Sequence, residues 1–144
     1  MTTYNESLSA AITALQTLVA AVTGIKAAPA SPPDAPSGQW PLSIAFPSAG
    51  RFEGGGNVQL AGYHTIVVQI HYTRADLARA YATIAPYLET VVAAIAASQT
   101  LSSTVTAIAG PVVYSFGAMT FASVDTIGWQ FDVPVKIRYT EKET

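Results

Sequence analysis

Two histidines are the side chains of this sequence best suited to acid–base or metal chemistry near neutral pH. His64 and His71 both fall in a predicted strand over Tyr63–Tyr72. Because successive strand residues point to opposite faces, their odd separation places the two imidazoles on opposite sides of a sheet. A metal site needs ligands that converge, and the chain has no cysteine to supply one. We therefore expect no metal site and a structural role for each histidine.

The junction between this strand and the following helix is the best candidate for a small catalytic or ligand-binding site. His71, Tyr72 and Asp76 lie close together there in sequence. The competing interpretation is that Thr73–Asp76 is a capping box with Asp in place of Glu, in which Asp76 stabilises the start of the helix. A small α+β ligand-binding domain or enzyme with a site near His71 and Asp76 is therefore the alternative function.

Two further motifs lack the residues that would make them catalytic or cofactor-binding. Gly54-Gly55-Gly56 has neither the Gly-Lys-Ser/Thr ending of a phosphate-binding loop nor the spacing of a dinucleotide fingerprint. Ser115 stands in Tyr-Ser-Phe-Gly, which is not a nucleophile elbow. No two carboxylates have a spacing that indicates general acid–base work. We expect no catalytic residues, no cofactor and no enzymatic activity.

Sparse charge is the most unusual property of the composition. Only 11% of the 144 residues are charged, against about 25% in an ordinary soluble domain. Such a surface is poorly protected against association, which favours a subunit of an assembly. The net charge of −2 gives no basic footprint for sequence-specific nucleic-acid binding. The alanine-rich residues 7–25 are amphipathic and interrupted by Gln16, so we expect no membrane span and no signal peptide.

Two segments are predicted to contact partners. The first is a glycine-rich loop after a short strand at Trp40–Pro47, with two charges and an aromatic ring at its tip. The second is the polar face of a long strand over Thr126–Tyr139, where large apolar residues occupy every odd position. The predicted loop residues are Arg51, Phe52, Glu53, Gly54, Gly55, Gly56 and Asn57, and the predicted exposed strand residues are Gln130, Asp132, Lys136 and Arg138.

The elements that position these segments form one predicted domain over 1–144. Helical spacing over residues 3–23 predicts an N-terminal helix within 1–25, and four prolines make 27–38 an extended linker. The helix could thus sit apart from the 39–140 core or dock on a neighbouring subunit. A second helix follows Arg74 and ends near Ser98, with Pro86 expected to kink or divide it.

Two or three strands are predicted after the second helix: Val112–Phe121, Thr126–Tyr139 and, as an optional short strand before them, 104–108. Late strands joined by short turns should pair antiparallel. The expected fold is α+β with two layers: a mixed, mainly antiparallel sheet of four or five strands with two helices packed on one face.

This order of elements resembles the tail terminator, or tail-completion, proteins of tailed bacteriophages. The resemblance rests on the N-terminal helix before the Pro-flanked strand Trp40–Pro47, on the strand Ile66–Ile70 followed by the helix Arg74–Ile95, and on the terminal strand Gly128–Val135. It covers most of the chain, although the linker at 27–38 departs from the compact pattern.

The resemblance implies a structural virion protein in the tail or neck, assembled in the host cytoplasm. Such proteins form a six-membered ring that caps the tail tube, stops its polymerisation and provides the head–tail joining interface. The implied partners are further copies of the chain, the tail tube protein and a neck or head-completion protein, with DNA passing through the ring. A neighbouring neck adaptor or another tail subunit is the alternative within this class.

Overall fold

The computed structural model describes residues 7–29, 40–55, 59–74, 77–101 and 104–139. The elements follow one another in the order α1 (Leu8–Ala20), β1 (Leu42–Gly55), β2 (Gln59–Thr73), α2 (Leu77–Ile84), α3 (Tyr87–Ala96), β3 (Ala107–Ile108), β4 (Val113–Phe121) and β5 (Val124–Tyr139).

The five strands form one antiparallel sheet in the order β1-β2-β5-β3, with β4 also paired to β5. β2 pairs with one edge of β5 from Thr126 to Tyr139, so β3 and β4 share the other edge. β4 pairs with the first half of β5, and β3 pairs with Val135 and Lys136. The helices pack on one face, which we call the helix face, and the opposite face is called the far face. The predicted two-layer α+β fold is confirmed.

The hydrophobic core lies between the helices and alternate residues of β2 and β5. The odd-numbered residues of β5 from Trp129 to Ile137 are all buried, as their period of two predicts. Phe131 is fully buried near the centre of this row, and its burial contributes about 2–3 kcal/mol. The residues of the helices that complete the core include Leu15, Val19, Ile84, Val91 and Ile95.

Helix α1 docks on the sheet of its own chain, which decides between the two arrangements left open by the sequence. Ser7 caps its N-terminus by accepting a hydrogen bond from the Ala10 amide at 3.0 Å. The buried Gln16 donates to the Ser43 carbonyl at 2.8 Å, and the Ser43 hydroxyl donates back to its Oε1 at 3.1 Å. The described helix is shorter than the predicted one, and residues 1–6 and 30–39 lie outside the described part.

Pro86 divides the second predicted helix into α2 and α3 at Ala85–Pro86. Proline has no N–H and its ring clashes with the preceding turn, so the helix cannot continue through it. The indole Nε1 of Trp129 donates to the Ile84 carbonyl at 2.8 Å. A carbonyl at the end of α2 is thereby satisfied from the sheet, and α2 is held against β5.

The predicted break between a short strand and a glycine-rich loop is wrong. β1 continues through Pro47, with a bulge before Ala49, and pairs with β2 as far as Gly55. An isolated glycine-rich segment has weak local preferences, but here β2 supplies a ladder partner for each residue beyond the bulge, so tertiary pairing overrides those preferences. β2 and β5 likewise begin earlier than predicted, at Gln59 and Val124.

Candidate interaction surface

One end of the far face gathers charged and aromatic side chains from three adjacent strands. Arg51, Tyr63 and Lys136 stand side by side in the registers of β1, β2 and β5. The Arg51 guanidinium carbon lies 4.5 Å from the centroid of the Tyr63 ring, and the Lys136 Nζ lies 5.7 Å from it. Both distances permit cation–π attraction, which orients the two cations about one ring.

Residues 51–55 of the predicted partner-contact loop belong to strand β1, and their side chains point in two directions. Arg51 and Glu53 share the far face, where Arg51 Nε donates to Glu53 Oε1 at 3.1 Å. Phe52 lies on the helix face and is largely exposed, with its ring centroid 5.2 Å from that of His64 and 5.5 Å from that of Tyr139. Gly54 and Gly55 end β1, and Gly56 and Asn57 lie outside the described residues.

The predicted exposed face of the last strand is only partly exposed. Arg138 is exposed, but Gln130, Asp132 and Lys136 are half-buried. Their burial has a structural reason, because Gln130 and Asp132 belong to a hydrogen-bonded chain that crosses the far face. Lys136 instead covers the Tyr63 ring.

This chain joins Thr126, His71, Gln69, Gln130 and Asp132. His71 Nδ1 lies 2.6 Å from the Thr126 hydroxyl, and His71 Nε2 lies 2.8 Å from Gln69 Oε1. The Gln69 amide donates to Gln130 Oε1 at 2.9 Å, and the Gln130 amide approaches Asp132 Oδ1 at 3.4 Å. A neutral imidazole protonated on Nε2 satisfies every partner, so that all the donors point towards the Asp132 carboxylate. Dipoles aligned in this way polarise one another.

Burial keeps His71 neutral, and hydrogen bonds occupy both of its ring nitrogens. Its side chain is fully buried, and desolvation lowers the pKa of the imidazole from 6.5 to about 4. Tyr72, the next residue, points to the helix face, so the strand places the two side chains on opposite sides of the sheet. Asp76 lies outside the described residues. The structure thus does not bring His71 and Tyr72 together into a site.

His64 lies on the helix face, and the two histidines point to opposite sides of the sheet as their spacing predicts. Its Nε2 lies 3.0 Å from the Tyr139 hydroxyl, and burial lowers the pKa of the ring. Gly62 faces the same pair closely, since a Cβ added there would lie 2.5 Å from His64 Nε2. Phe52, His64 and Tyr139 therefore form a compact aromatic cluster at the end of the sheet.

A shallow groove crosses the far face beside the Arg51–Tyr63–Lys136 row. The groove has a volume of about 390 Å³ and is lined by residues of β1, β2, β5 and the segment after β3. Its lining consists of Ala49, Gly50, Arg51, Tyr63, His64, Thr65, Ala109, Pro134 and Val135. An open groove with a cationic and aromatic wall suits an acidic or aromatic side chain of a partner.

Sequence reasoning did not include Tyr63 in either predicted segment. Nothing in its local sequence marks it, because its importance comes from the register that places Arg51 and Lys136 on either side of it. Within the described ranges, no three potential metal ligands from His, Asp or Glu cluster together. No helix in the same ranges has the length and apolar character needed to cross a bilayer.

The chain matches no protein-family model, and no curated protein is significantly similar to it.

Proposed function

We propose that this chain is a structural virion protein, a ring subunit that caps a phage tail tube and offers a joining surface to the neck. The order of the described elements supports the proposal, since an N-terminal helix, two long paired strands, a divided helix and a long terminal strand follow one another. That is the order on which the resemblance to tail terminator proteins rests.

The observation that carries the proposal is the concentration of scarce charge on one end of the far face. Arg51, Glu53, Lys136 and Arg138 occupy two neighbouring rows of the β1-β2-β5 registers. A chain with seven basic and nine acidic side chains leaves most of its surface uncharged. Charged groups orient and steer an association more than they strengthen it, so this region suits the docking face of an otherwise neutral subunit.

In this proposal the subunit closes a ring of six copies and stacks on the tail tube protein on one side and a neck or head-completion protein on the other. DNA passes through the ring without sequence-specific contact. The protein is assembled in the host cytoplasm and remains in the virion.

The first test is the native mass of the purified protein, measured by light scattering with negative-stain images of the same sample. A closed ring near six subunits is expected, either alone or after tail tubes are added. A protein that stays monomeric with tubes present contradicts the proposal, and a ring that binds only neck components identifies a neck adaptor instead.

A second test concerns the docking face itself. The double change Arg51→Ala and Lys136→Ala should weaken binding to tail tubes or neck components roughly tenfold, because it removes both cations around Tyr63. Co-sedimentation with the assembled partner measures this. The matched control is Lys26→Ala with Arg74→Ala, which removes the same net charge from exposed positions elsewhere. Equal binding by the two double variants rules out a specific role for this face.

A further inference from the structure

The outer edge of β4 lacks the features with which proteins normally prevent further strand pairing. Within the described ranges its ladder partner is β5, and Val113–Phe121 contains no charged residue and no proline. On the opposite edge of the sheet, β1 carries Pro47, a bulge, and the charges of Arg51 and Glu53. Proline, bulges and charge are common means of blocking an edge, and an edge without them presents unpaired backbone groups to another strand.

Exposed apolar side chains surround the same edge. Val113 and Tyr114 are 56% and 54% exposed, and Leu77 and Tyr81 of α2 are similarly exposed. The Tyr81 ring lies 5.5 Å from that of Phe116, so α2 extends the apolar surface over the strand. Tyr114, Phe116 and Tyr81 lie together on the helix face, where the rings of Tyr114 and Phe116 both contact Trp129, whereas Val113 lies on the far face. An exposed apolar patch of this kind commonly marks an interaction site.

The sequence of β4 is self-complementary about Gly117. If two copies pair antiparallel across a two-fold axis at that residue, each large side chain faces a smaller one. The opposed pairs are Val113–Phe121, Tyr114–Thr120, Ser115–Met119 and Phe116–Ala118. The first two are aromatic with β-branched, the combination that stabilises antiparallel neighbours. Gly117 itself stands in open space, since a Cβ added there would meet no atom within 4 Å.

We infer that the β4 edges of two copies of this chain pair antiparallel about a two-fold axis through Gly117, which joins their sheets into one. The contact is isologous, with the same strand contributed by both copies. A ring of six needs a different, head-to-tail surface, so the inference goes beyond the proposed function. It joins two free subunits or two rings back to back.

The chain has no cysteine, which permits an unambiguous crosslinking test. Directly opposed residues of antiparallel strands have Cα atoms about 4.5–5.5 Å apart, within the range that a disulfide spans. Gly117→Cys should therefore form a disulfide-linked dimer under mild oxidation. The control Ala93→Cys, at an exposed position of α3, should not. If Gly117→Cys forms no more disulfide-linked dimer than this control, the inference is overturned. The inference is also overturned if Gly117→Cys and Arg51→Cys proteins, oxidised together, form mainly the mixed dimer, because the strand that pairs with β4 is then β1.

A charge on the edge gives an independent readout. Ala118 is exposed in the single chain, and in the pair it faces Phe116, so Ala118→Lys should fold normally and halve the native mass in light scattering. Ala93→Lys is the matched control and should leave the mass unchanged. Retention of the wild-type mass by Ala118→Lys contradicts the inference.

The outcomes separate this inference from the ring proposal. Rings of equal mass from the wild type and Ala118→Lys reject the β4 contact and leave the ring proposal intact. A wild-type dimer that crosslinks through Gly117→Cys but forms no ring with tail tubes rejects the ring and retains the contact.

Discussion

At the scale of single residues, His71 shows how a polar side chain can be buried on the far face of the sheet. A buried imidazole is stable when it is neutral and each ring nitrogen has a partner. Thr126 and Gln69 provide these partners, and the chain through Gln130 ends on the partly exposed Asp132. The same arrangement makes protonation costly, because an imidazolium would have to donate to the Thr126 hydroxyl and would lose hydration.

The pKa of His71 leads to a prediction about stability and pH. The imidazole titrates at about 4 in the folded chain and near 6.5 when unfolded, so between these values the unfolded state binds more protons. The free energy of unfolding should therefore fall by about 3 kcal/mol from this group as pH drops from 6.5 to 4. Urea denaturation at a series of pH values measures it.

The control for that experiment is His71→Gln, which keeps an amide donor and acceptor but does not titrate. The variant should be less stable than wild type at pH 7, and the difference should shrink towards pH 4. Parallel curves for the two proteins would show that His71 doesn't govern the acid transition.

At the scale of elements, the β4–β5 hairpin combines strong pairing with an unfavourable turn. Phe121 pairs with Val124, so Ala122 and Ser123 form a two-residue loop. Their φ angles are 51° and 66°, in the left-handed region that short hairpin turns require and that Asn-Gly satisfies best. Side chains with a Cβ are strained there, so the long strands rather than the turn hold this hairpin together.

Replacing Ala122-Ser123 by Asn-Gly should raise the free energy of unfolding by about 1–2 kcal/mol, because it relieves the strain at both positions. Thermal or urea unfolding measures the gain. Ala122→Val is the opposing change and should destabilise the chain, since a β-branched residue tolerates a positive φ least. A loss of stability with Asn-Gly would mean that this turn has a different backbone conformation.

At the scale of the whole molecule, α1 and the sheet belong to one core. Ala11, Leu15 and Val19 are buried in the same cluster as Phe131 and Ile95. Gln16 ties α1 to two other segments, because its Nε2 donates to the carbonyls of Pro29 and Ser43. Helix α1 is thus part of the domain core rather than of a separate arm.

Gln16→Ala should lower the stability of the entire chain by about 2–3 kcal/mol, since it removes the side chain that bonds the buried carbonyl and hydroxyl groups of Ser43. The expected result is an equal shift of the denaturation midpoint by tryptophan fluorescence and by far-UV circular dichroism, as one cooperative unit requires. The matched control is Gln99→Ala, whose amide bonds a local carbonyl at an exposed position and should change stability by less than about 0.5 kcal/mol. A shift in only one signal would indicate that α1 unfolds separately.

Features that depend on local periodicity and chain stiffness could be predicted from the amino-acid sequence. Alternation along β5 identified its buried row, helical spacing identified α1, and Pro86 placed the division between α2 and α3. The odd separation of His64 and His71 already assigned them to opposite faces.

The identity of neighbouring strands and their register depend on the complete fold. Pairing with β2 turns the glycine-rich residues after Pro47 into strand, because a ladder partner outweighs their weak local preference. Register also places Arg51 and Lys136 around Tyr63, and it links His71 to Asp132 through two glutamines. These contacts join residues far apart in sequence, so no local pattern encodes them, and they appear only when the long strands align.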